Sequence, residues 1–95
     1  MALYLVSYDI NHKNENEYPD LWASLERWGA VKILYSEWVV AGDMGHGSSI
    51  YKELSPLIKA NDRLLVQEIG KDCAWDRLLI SDDIFRQIVL KNARL

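Results

Sequence analysis

Asp9 is the residue of this sequence best placed to do chemistry. It closes an almost unbroken apolar and aromatic run, Leu3-Tyr4-Leu5-Val6-Ser7-Tyr8, and a wholly polar stretch, Asn11 to Glu17, follows soon after. A carboxylate leaving a buried strand must be solvated, paired or bound to a cation, because burying its charge alone is costly. As a hard oxygen ligand, Asp9 would hold Mg²⁺ with a few waters against a phosphodiester. One carboxylate makes a poor site, but a two-fold axis joining two Asp9 side chains would let them share one ion. The structural alternative has Asp9 cap the following turn or pair with His12 or Lys13. For cleavage, His12 is the candidate proton-transfer partner, and Lys13 and Lys32 are the candidate contacts to a nucleic-acid backbone.

Other chemistries find less support. Gly42, Gly45 and Gly47 lack the dinucleotide fingerprint, and no Gly-Lys-Ser or Gly-Lys-Thr follows them. Cys73 with His12 and His46 gives too few spaced soft ligands for zinc. Ordinary loop histidine accounts for both His12 and His46. Ser7, Ser36, Ser48 and Ser49 sit in no nucleophile motif.

The elements that must position Asp9 can be read in order. Leu3 to Ile10 reads as a central strand, buried on both faces. Pro19-Asp20 opens a helix whose Leu21, Trp22, Leu25 and Trp28 share a face against the sheet, with Arg27 in its last turn and Gly29 at its end. Ala30 to Tyr35 and Glu37 to Ala41 alternate as strands, joined either as a hairpin with an irregular corner near Ser36-Glu37 or as one long bulged strand. After a glycine-rich loop, Ser48 or Ser49 can cap a helix carrying Ile50, Leu54 and Leu57, with a break or restart at Ser55-Pro56. Arg63 to Ile69 is the next strand, with Leu65 and Ile69 on one face and Leu64 and Val66 on the other. Trp75 to Ile80 is expected as a short fifth strand. Ser81 then caps a last helix with Ile84, Phe85, Ile88 and Val89 on its apolar side.

This order predicts an α+β, ferredoxin-like split β-α-β sandwich with an appended C-terminal strand and helix. Residues 1–95 form one domain, with 72–95 as its extension. Two helices leave one sheet face bare, so the appended helix or a second copy must cover it.

Composition narrows the partners. An apolar fraction of 49% fits a globular protein. Net charge is -3, from 11 basic and 14 acidic residues, which disfavours a protein living by non-specific phosphate contacts. Four Trp and five Tyr suggest that some large rings lie in a protein interface, a second copy included. A lone Cys73, no positively charged leader and no membrane-length apolar run point to the cytoplasm.

The opening Tyr4-Leu5-Val6-Ser7-Tyr8-Asp9-Ile10, the amphipathic helix, and a strand pair carrying Tyr35-Ser36-Glu37-Trp38-Val39 resemble the small ferredoxin-like protein of CRISPR adaptation. The same residues are similar to that family's relatives, the virulence-associated ribonuclease-like toxins. The resemblance covers roughly residues 3–70. It implies a homodimer with facing sheets, in which the aspartate matching Asp9 binds a divalent metal for RNA or DNA cleavage. It also implies an alternative, a catalytically silent scaffold between protein partners. The sequence departs from the family beyond residue 72, where a terminal helix replaces a short dimer-closing strand, and its acidic balance weakens DNA binding.

Overall fold

A computed structural model describes residues 1–10, 17–43 and 45–94 of the chain. Among these residues, β1 (Ala2–Asp9), β2 (Val31–Leu34), β3 (Glu37–Gly42) and β4 (Arg63–Ile69) form one sheet in the order β2-β3-β1-β4. Every pairing is antiparallel. Helices α1 (Pro19–Arg27), α2 (His46–Leu54) and α3 (Asp82–Asn92), with a 3₁₀ turn at Ser55–Leu57, are joined to it. This is the α+β, ferredoxin-like arrangement with an added C-terminal part. No helix of the described residues is long and apolar enough to cross a membrane.

The apolar run of β1 organises both halves of the core because strand side chains alternate between faces. Ala2, Tyr4, Val6 and Tyr8 face α1 and α2, packing with Leu21, Leu25, Val40, Ile50 and Leu54. Leu3 and Leu5 face the other way, toward Ile33, Val39, Phe85 and Val89. Each fully buried aliphatic side chain contributes about 1.5–3 kcal/mol relative to exposure. The second face is therefore covered from within the chain, by α3 and by the segment that carries Cys73, Trp75, Leu78 and Ile80.

Local signals explain most boundaries. Pro19 sits in the first turn of α1, and Gly29 leaves the helix at φ 74°, a conformation that favours glycine. Residues 35–36 form the corner of a β2–β3 hairpin, with a register shift between Lys32 and Leu34, so two strands are present rather than one. α2 ends at Leu54, and Ser55-Pro56 opens the 3₁₀ turn, Ser55–Leu57, whose second residue is the proline, a first-turn place where its missing amide costs little. Ser81 caps α3 by accepting from the Ile84 amide at 3.2 Å.

Three expectations are corrected. Ser48 and Ser49 lie inside α2, which begins at His46; the Tyr4 hydroxyl accepts the His46 amide at 3.0 Å and replaces a serine cap. Trp75 to Ile80 is not a strand. Its Leu79 amide reaches the Ile33 carbonyl at 2.8 Å, but Arg77 adopts φ 55°, which breaks the extended run. Ile84 is exposed, whereas Phe85 and Val89 are the buried apolar residues of α3.

The chain returns to its starting edge after α3. Gly70 bridges Arg94 in parallel, and the Lys71 amide donates to the Arg94 carbonyl at 2.9 Å. The Arg94 guanidinium grips both oxygens of Glu68, with Nε 2.5 Å from Oε2. This contact holds the Glu68 carboxyl below its ordinary range, against the opposing effect of desolvation.

Candidate functional site

Asp9 is the last residue of β1, and the antiparallel register sets it opposite Arg63, the first residue of β4. The two side chains share the second face of the sheet. Arg63 Nη1 donates to Asp9 Oδ2 at 2.9 Å, and both stay largely in solvent, with the carboxylate side chain 67% exposed. Beside them a shallow depression of about 180 Å³ is lined by Ser7, Tyr8, Asp9, Arg63, Leu64 and Leu65. The covering segment and α3 stop short of this end, so Leu65 remains 52% exposed.

The pair constrains the chemistry. A guanidinium bound to one oxygen neutralises the charge that a hard cation would need, and Mg²⁺ favours several oxygen ligands in octahedral geometry. No three His, Cys, Asp or Glu side chains converge to hold a metal ion among the described residues. Asp9 of one chain, so paired, does not fit Mg²⁺ by itself.

Lys32 stands elsewhere. It pairs with Trp38 in the β2–β3 register, and Trp38 in turn pairs with Val6, a residue of the α1/α2 face. Its ammonium lies 5.9 Å from the ring centres of Trp22 and of Trp38, which stack on each other at 6.1 Å. Asp9 and Lys32 thus project from opposite faces of the sheet. His12 and Lys13, the other two predicted site residues, lie outside the described residues.

His46 opens α2, next to Tyr4 and therefore toward the other end of β1 from Asp9. Its ring meets Trp28 edge-on at 5.8 Å, and Nε2 lies 3.9 Å from Asp43 Oδ2. Nothing brings it to the Asp9 depression.

Two further groups are organised by tertiary structure. Glu53 on α2 accepts from the Ser24 hydroxyl of α1 at 2.6 Å and from the Trp28 indole, with Arg27 4.0 Å away. The Ser24 hydrogen bond, then the indole and the guanidinium, hold its carboxyl below the usual range, while desolvation acts in the opposite sense. On the second face, Ile33, Glu37, Cys73, Trp75, Leu78 and Phe85 are among the residues around a pocket of about 270 Å³ beneath the covering segment.

Arg63 is the residue that sequence reasoning missed. Its position as the first residue of β4 was legible, but that it meets Asp9 follows only from the β1–β4 register. No family model matches this chain.

Proposed function

We infer that this chain is a catalytically silent, self-associating interaction module of the cytoplasm, a ferredoxin-like relative of the CRISPR adaptation proteins that binds a protein partner. The observation that carries this reading is the state of Asp9: its carboxylate is bonded to Arg63 at 2.9 Å at the end of a face that the chain covers with its own terminal helix. Two bare sheets stacking face to face, the arrangement that would bring two Asp9 side chains to one ion, would have to displace α3. A net charge of -3 further favours a protein partner over nucleic acid.

A second reading rests on exposure. Asp9 is open to solvent beside a depression, so a Mg²⁺-dependent nuclease on RNA or DNA remains the competing class, with Asp9 as metal ligand. One experiment separates them. Purified protein is incubated with RNA and with DNA in Mg²⁺ or Mn²⁺, alongside Asp9→Ala, and its mass in solution is measured by light scattering. The interaction reading expects a dimer and no cleavage by either protein. Cleavage that Asp9→Ala abolishes would replace it with the nuclease.

A further inference from the structure

We propose that two copies of this chain associate through the outer edge of β4. This rests on the self-association read above and names its contact. Most of the second sheet face is packed against α3, and the first against α1 and α2, so what the sheet chiefly has left to offer is its two edges. The β2 edge is engaged by the Leu79 amide on the Ile33 carbonyl. The β4 edge is closed at one end, where Gly70 bridges Arg94. Along Arg63 to Gln67 no described residue pairs with its outer side.

An antiparallel strand turns alternate amides and carbonyls away from its neighbour, so among the described residues this edge presents a row of donors and acceptors without a strand partner. Sheets protect such edges with proline, bulges or inward charges. The five residues here have no proline or glycine and keep a regular register with β1. Leu65 stands half in solvent beside the edge, with Leu64 and Val66 partly buried on the other face.

The occupant that fits is a second copy, because the strand is self-complementary. A two-fold axis normal to the sheet at Leu65 sets that side chain against Leu65 of the partner subunit. It also sets Leu64 against Val66 of the partner subunit, and Arg63 against Gln67 of the partner subunit. No like charges oppose one another within these pairs. Beyond them Glu68 meets Asp62 of the partner subunit. Glu68 is held by Arg94, and Asp62 accepts from the Tyr18 hydroxyl and the Lys59 amide, each at 2.8 Å. An axis at Val66 would instead set Leu64 against Glu68 of the partner subunit, an apolar group against a charge. The contact is one strand wide, so association belongs to the weak class.

The test is made on the full chain with Cys73→Ser as background. Paired Cα atoms at the axis lie about 4.5–5.5 Å apart, within the roughly 4.4–6.8 Å that a disulfide spans. Leu65→Cys should therefore cross-link on mild oxidation. Gln67→Cys, displaced from its mate by about four residues or ~13 Å along the strands, should not. Leu65→Lys, which opposes two like charges, should weaken dimerisation by about tenfold or more in light scattering. A wild-type chain that stays monomeric up to about 1 mM overturns both this proposal and the self-association beneath it. A dimer that withstands Leu65→Lys, or that cross-links no better through Leu65→Cys than through Gln67→Cys, overturns the β4 edge alone.

Discussion

The Leu79 amide donates to the Ile33 carbonyl at 2.8 Å, and this bond brings the chain from the end of β4 across the sheet to the outer side of β2. From there α3 returns over the second face, and Arg94 rejoins the sheet beside Gly70. The appended residues therefore serve as the second layer of the sandwich. They take the place that a neighbouring sheet would otherwise have to fill.

If α3 is that layer, its buried ring should dominate its contribution. Phe85 is buried and meets Trp75 edge-on at 4.8 Å, whereas Ile84 points to solvent. Phe85→Ala is expected to cost about 3–5 kcal/mol, and Ile84→Ala within about 0.5 kcal/mol, both read from urea midpoints. Equal losses would mean that α3 docks differently.

Glu53 ties α1 to α2 through Ser24 and Trp28, with its pKa lowered from 4.5. A depressed folded-state pKa contributes stability that is present above 4.5 and is lost as pH falls through the lower folded value. Thermal melts of the wild type should therefore lose stability on that descent, and Glu53→Gln should lack this part of the slope. At neutral pH the substitution should cost on the order of 1 kcal/mol, because the carboxylate is partly solvated. An unchanged acid profile would mean the hydrogen bonds do not favour the charged form.

The Arg94–Glu68 contact should control fraying of the C-terminus. Arg94→Ala is expected to speed hydrogen exchange at the Lys71 amide, which bonds the Arg94 carbonyl, while amides of β1 keep their protection. Acid acts in the same direction: Glu68 has a lowered pKa, so its grip is full above the ordinary carboxylate range and fades as pH falls through the lowered value. Unaltered Lys71 exchange in the variant would show the bridge to be incidental.

The exposed Asp9–Arg63 pair should matter little to stability. Asp9→Asn and Arg63→Ala are each expected to shift unfolding by less than about 1 kcal/mol, as solvated ion pairs do. A markedly larger loss in denaturant melts would give the pair a structural role that its exposure does not suggest.

Residue order by itself determined the fold class, four strands and three helices, but not the irregular path of Trp75 to Ile80, which it read as a strand. The apolar run of β1, the Pro19 and Gly29 signals around α1, the break at Ser55-Pro56, the span Arg63–Ile69 and the Ser81 cap are local features, written in propensity and periodicity. Local rules erred where a distant side chain intervened. Tyr4, 42 residues away, closes the start of α2 in place of Ser48 or Ser49. What covers the second sheet face, and which residue answers Asp9, were decided by the tertiary structure. Both depend on strand register and on the path of residues 71–81. A contact between positions 9 and 63, or 33 and 79, leaves no trace in spacing along the chain; it exists only once the strands have paired.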